Sequence, residues 1–227
     1  MNKTTLNLAA ISIFLMTFSI LLGPFIDLSP VVPAVATFAI LGIATFDSWS
    51  LEGRGGTLFL DLIGGFSKEH RERILHHEAG HFLVAHALGV PVTGYTLSAW
   101  EAFKEKQKGL AGVTFDDVEV LSQFEKGAIT ARILERYYTI WMAGIAAETL
   151  VYENASGGAD DKNKLMGVLK SLGCSESVCN QKKRFSILQA KTLLENNWSA
   201  YQALVDTMRE RATVKECKEI LIEEGVN

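Results

Sequence analysis

The pattern of apolar and charged positions divides the chain into a charge-free N-terminal part and a patterned remainder. No residue from Thr4 to Ile26 is charged, and the core of this run, LNLAAISIFLMTFSILLG, extends from Leu6 to Gly23. As a helix it would measure about 27 Å, close to the hydrocarbon thickness of a bilayer. PFIDLSP follows, with two prolines and Asp27. A second charge-free run then extends from Leu28 to Phe46. Pro33 lies near its start, where a helix best accepts proline. Only Lys3 precedes the first run, and the second follows it directly. That pattern fits a two-helix transmembrane hairpin over residues 1–46 better than a cleaved signal peptide. The connecting loop carries no Lys or Arg, whereas Lys3, Arg54, Lys68, Arg71 and Arg73 flank the outer ends. The positive-inside tendency therefore predicts an integral membrane protein whose larger part faces the cytoplasm, or the stroma of an organelle.

Residues 47–66, DSWSLEGRGGTLFLDLIGGF, read as a glycine-rich linker. GRGG is not a phosphate loop, because no GK[ST] follows it. The patch TLFLDLIGGF suits either a membrane surface or a cover over the next domain, and both placements stay open. Ser67 to Leu88 has helical character: Ser67 can cap it, Glu69 lies in its first turn, and Gly89 and Pro91 stop it. Two β-rich runs, VTGYTLSA and LAGVTFDD, flank the polar insertion WEAFKEKQKG and predict two short strands. A long helix is expected over Ile129–Tyr152, interrupted afterwards by ENASGGADDKN. From about Lys164 helical spacing returns through Leu165, Leu169, Ile187, Leu193, Leu194, Leu204, Val205 and Met208. The expected fold class is mainly α with a small β-sheet over residues 67–227, preceded by the transmembrane hairpin.

Composition narrows the function classes. The 227 residues are 48% hydrophobic with a formal net charge of -4. No broad basic surface argues for nucleic acid as a partner. Cys174, Cys179 and Cys217 form an odd, sparse set without a CxxC pattern. That set argues against a secreted disulfide scaffold or a cysteine zinc site and for reduced thiols, with a Cys174–Cys179 redox loop the weaker alternative.

The chemistry concentrates in RILHHEAGHFLVAHALG, residues 73–89. His77, Glu78 and His81 fit the pattern H-E-x-x-H. Residues four apart share a helix face, so both imidazoles can point at one Zn²⁺. Glu78, rotated about 100° from His77, can serve as general base toward a water on that ion without ligating it. Ala79 and Gly80 keep the space between the ligands small. His76 and His86 lack a histidine at the same spacing and read as a neighbour of the site and a histidine at the edge of the core. A catalytic zinc takes a third protein ligand. Glu148 on the long helix, and Asp160 or Asp161 after it, are the candidates, and side-chain chemistry alone does not separate them.

Three stretches, HHEAGHFLVAHALG, MAGIAAETLVY and SGGADDKNKL, occur in the order of the peptidase domain of the FtsH family of membrane-anchored zinc proteases. The chain resembles that family over about residues 67–220. The resemblance implies a zinc helix at the first stretch and a small-residue helix at the second, with Ala146, Ala147 and Glu148 in register. It implies Asp161 as the third zinc ligand, with Asp160 matching the family's asparagine and Glu148 a support nearby. GYTLSA and GVTF resemble the family's sheet, whose edge can hold an extended peptide. The chain departs from the family in three respects. It has no ATPase module and no Walker A pattern, it carries the WEAFKEKQKG insertion, and it has Gly158 where the family has alanine. It thus looks like an ATPase-free relative of the kind found in cyanobacteria and plastids. The expectation is a membrane-anchored zinc endopeptidase cutting unfolded or membrane-associated proteins without its own unfoldase. It would act alone, as a homo-oligomer, or with an ATPase-bearing protease. The alternative is a non-catalytic partner of such a complex.

Overall fold

The computed structural model describes residues 68–98, 112–117 and 129–226, together with residues 13, 14, 16–26, 29, 31, 32, 35, 101, 120, 122, 123 and 126. The chain falls into two compact units, Met1–Phe59 and Leu60–Asn227. In the second, α1 (Lys68–Ala87) leads into an antiparallel pair, β1 (Val92–Thr96) and β2 (Gly112–Phe115). Five helices follow: α2 (Ala131–Tyr152), α3 (Ala159–Ser171), α4 (Glu176–Asn196), α5 (Trp198–Arg209) and α6 (Val214–Glu223). The described part of this unit is mainly helical with one two-stranded sheet.

The centre of the unit is α1. Every residue from His77 to Ala85 is buried, so this stretch of the helix is enclosed on all sides, while its first turn, residues 68–71, is exposed. It ends where Gly89 turns left-handed at φ +69° and the Val90 amide bonds back to the Ala85 carbonyl at 2.9 Å, closing the last turn. Against it lies α2, whose start is capped by the Thr130 hydroxyl accepting from the Ile133 amide. The two helices meet at small residues. A Cβ on Gly80 would stand 2.7 Å from the Ala147 Cβ and 2.8 Å from the Ala143 carbonyl oxygen, so only glycine allows this approach. Tyr201, Leu204 and Met208 of α5 close the core with Cys217 and Leu221 of α6, all without exposure.

The strands pair Tyr95 with Val113 and Thr96 with Gly112, and a bulge lies between Val92 and Gly94. The WEAFKEKQKG insertion, apart from Glu101, lies outside the described residues. The helix expected from about Lys164 begins earlier, at Ala159. Gly158 takes φ +77° to turn the chain into it, and Asp160 and Asp161 occupy its first turn, where the N-terminal helix dipole favours carboxylates. All three cysteines are free thiols.

The expected two-helix transmembrane hairpin, and with it the integral membrane localisation, is corrected. Among the described residues no helix is long and apolar enough to cross a membrane. In the first unit the α-helical residues 16–22 give way to a 3-10 turn at Gly23–Ile26. GPFI contains a proline without an N–H for the α-helical ladder. The remainder of both apolar runs, except residues 13, 14, 29, 31, 32 and 35, and the whole linker 47–66 lie outside the described residues.

Candidate metal centre

Because this stretch of α1 is enclosed, its polar side chains must find partners inside the protein, and those partners fix their orientation. His77 Nδ1 lies 2.8 Å from Oε1 of Glu148, a carboxylate on α2 that is only 2% exposed. His81 Nδ1 lies 2.7 Å from the Ile140 carbonyl oxygen, about two turns earlier on α2. Neither partner has a hydrogen to give, so each Nδ1 carries the proton and donates it. The two Nε2 atoms are left facing inward.

They face the same atom. Asp161 Oδ2 lies 3.2 Å from His77 Nε2 and 3.4 Å from His81 Nε2. With both rings neutral, three lone pairs would converge, so a cation must sit among them: a proton on one ring or a metal ion. The surroundings of His77 favour its protonated form. Burial by itself would lower its pKa, but the hydrogen-bonded carboxylates of Asp161 and Glu148 outweigh burial and raise it to about 10. Burial likewise pushes Asp161 upward, yet His81 and His77 together hold its carboxyl far below the usual range. One donor atom each from His77, His81 and Asp161 lies within 4.8 Å of the others, and this buried His–His–Asp group can hold a metal ion.

Glu78 is 6% exposed, and its Oε2 accepts from the Val113 amide of β2 at 3.1 Å. Burial raises its pKa, opposed by the neighbouring His77 and His81. Glu148 stands behind His77. It also accepts from the Ser156 amide at 2.8 Å, the Ser156 hydroxyl at 3.2 Å and the Gly157 amide at 3.2 Å. Burial disfavours its charge, but the bond from His77 and these amides hold its pKa low. Asp160 is exposed and outside the cluster. His76 is bonded at Nδ1 to the Tyr201 hydroxyl, 2.9 Å away, and His86 to the Val226 carbonyl at 3.1 Å. Neither belongs to the group.

Sequence reasoning missed three contributors. The Ile140 carbonyl is a main-chain group, so no residue type announces it. Gly144 seats the His77 ring, because a Cβ there would overlap the imidazole. Gly157 leaves room for Glu148, since a Cβ there would stand 2.6 Å from Oε1. The available signal was the run of small residues in MAGIAAE and the Gly157–Gly158 pair, which show close packing but not what is packed. Compared with the known protein families and with curated proteins, the chain matches none of them.

Proposed function

We propose that the protein is a zinc-dependent endopeptidase, similar to the FtsH peptidase domain, that cleaves extended, unfolded polypeptide without an ATPase module of its own. The observation that carries this reading is the convergence of His77 Nε2, His81 Nε2 and Asp161 Oδ2, with the buried Glu78 next to one ligand in sequence. Two imidazoles and a carboxylate are a zinc donor set. Around a tetrahedral ion with ligand bonds near 2.1 Å, neighbouring ligand atoms stand about 3.4 Å apart. The two separations from Asp161, 3.2 and 3.4 Å, are close to that edge, and all three donor atoms lie within 4.8 Å of one another.

Zinc bound there supplies a water of pKa about 7 and polarises a carbonyl. The chain's own residues do the rest. Glu148 and Ile140 hold both imidazoles with Nε2 inward, so the ligands need no rearrangement. Glu78, its carboxyl raised by burial, is suited to take a proton from the attacking water and return it to the leaving amine. β2 lies against α1 and carries the Val113 amide to Glu78, so a peptide pairing along β2 would lie beside the general base.

A second reading has one observation in its favour. Glu78 already spends its Oε2 on the Val113 amide, which suits a chain that does not hydrolyse and instead joins an ATPase-bearing protease. Casein cleavage by the purified full chain separates the two. Loss of cleavage on chelation and in Glu78→Gln supports the peptidase. Equal cleavage by Glu78→Gln, or no cleavage by zinc-loaded wild type, sinks it.

A further inference from the structure

The metal centre depends on a segment far from α1 in sequence, and something must hold that segment in place. Asp161 follows the loop 153–158, whose Ser156 and Gly157 amides are tied to Glu148. The far side of Glu148 is met by Arg73, about two turns before His81 on α1. Arg73 Nη1 stands 3.7 Å from Glu148 Oε2, and the two side chains are 18% and 2% exposed. The same Nη1 donates to Asn154 Oδ1 at 3.1 Å. The guanidinium carbon lies 4.3 Å from the centre of the Tyr152 ring, within cation–π range. Asn154 in turn donates to the Tyr152 carbonyl at 3.0 Å. A cation at the C-terminal end of α2 also matches that end's negative dipole.

One guanidinium thus touches the last residue of α2, the first part of the loop and the buried carboxylate that orients His77. We propose that Arg73 is a positioning residue for the metal centre, locking the loop 153–158 to α1 and so setting where Asp161 meets His77 and His81. This role rests on the metal-binding reading of the cluster. It needs arginine specifically: the fork reaches Asn154 while the plane stacks on Tyr152 and the charge faces Glu148, whereas lysine offers a single point charge. His77 alone would leave Glu148 with one cationic neighbour and the loop with no tie to the first turns of α1.

The full-length protein carrying Arg73→Met or Arg73→Lys tests this with two readouts, neither of them activity. In metal-free protein, exchange of the Ser156 and Gly157 amides should quicken about tenfold in Arg73→Met, while the Phe82 and Leu83 amides in the centre of α1 keep their wild-type rates. Titration with Co²⁺ alone, followed by its visible spectrum, should show about 10- to 100-fold weaker binding in Arg73→Met, with Arg73→Lys in between. Wild-type exchange at Ser156 and Gly157 together with wild-type Co²⁺ affinity would overturn the proposal. So would faster exchange throughout α1, which marks general destabilisation. If the wild type itself bound no Co²⁺, the metal reading would fall, and the exchange rates would still decide whether Arg73 holds the loop.

Discussion

Gly144 and His77 are in contact across the α1–α2 interface, and the imidazole occupies the space that a side chain at 144 would need. The imidazole is therefore placed by two opposite demands. Glu148 pulls Nδ1 from one side, and the bare backbone of Gly144 lets the ring lie close enough to be pulled. Gly144→Ala should displace the ring, cost roughly 1–3 kcal/mol as an overpacked core position, and lower bound zinc well below one per chain. Metal analysis beside thermal unfolding checks this, and full zinc occupancy in the variant would contradict it.

The three candidate acidic ligands should separate cleanly. Asp161→Ala removes a donor and should lose most bound metal. Asp160→Ala, changing an exposed side chain, should bind as wild type does. Glu148→Gln keeps the shape but withdraws the charge that orients His77, and should weaken metal binding by about 10- to 100-fold. Equilibrium titration against a competing chelator measures all three. Strong metal loss in Asp160→Ala but not in Asp161→Ala would move the ligand by one position.

A bound ion should stabilise the fold, because its ligands come from α1 and α3 and assemble only when folded. With free metal at a hundred times its dissociation constant, the gain is about 2.7 kcal/mol. For a unit of this size that corresponds to roughly 5–10 °C in unfolding temperature. A chelator should remove the shift in wild type and have no effect on Asp161→Ala. An unfolding temperature indifferent to metal in wild type would count against a site in this cluster.

A pH effect is expected away from the centre. The Arg209 guanidinium, 3.0 Å from Glu72 Oε2, holds the Glu72 carboxyl below its usual value of 4.5. A depressed carboxylate contributes stability above its unfolded pKa and loses it as pH falls through the folded value. The pair is partly solvated, so Arg209→Met should cost less than about 1 kcal/mol near neutrality. The difference from wild type should shrink below about pH 4. Denaturant unfolding at pH 7 and pH 3 measures it, and a gap that widened on acidification would refute the assignment.

Local arrangement was legible in the sequence, and what it left open was long-range. The bounds of α1, the two strands and the shared face of His77 and His81 all follow from periodicity, caps and i,i+4 spacing. These depend only on backbone geometry within a few residues. The transmembrane hairpin shows the limit of such reasoning: apolar length was legible, yet among the described residues no helix is long and apolar enough to cross a membrane. Residue types also left Glu148, Asp160 and Asp161 equivalent as third ligand. Packing places Asp161, not Asp160 or Glu148, in the group that can hold a metal ion. The left-handed turn at Gly158 starts α3 so that Asp161 faces inward and Asp160 outward, and 84 positions of chain separate Asp161 from the histidine it meets. Only the tertiary structure, too, assigns Glu148 and the Ile140 carbonyl to orient the rings. A buried imidazole takes its orientation from whatever acceptor the neighbouring helix brings to it, and no residue on its own helix specifies that acceptor.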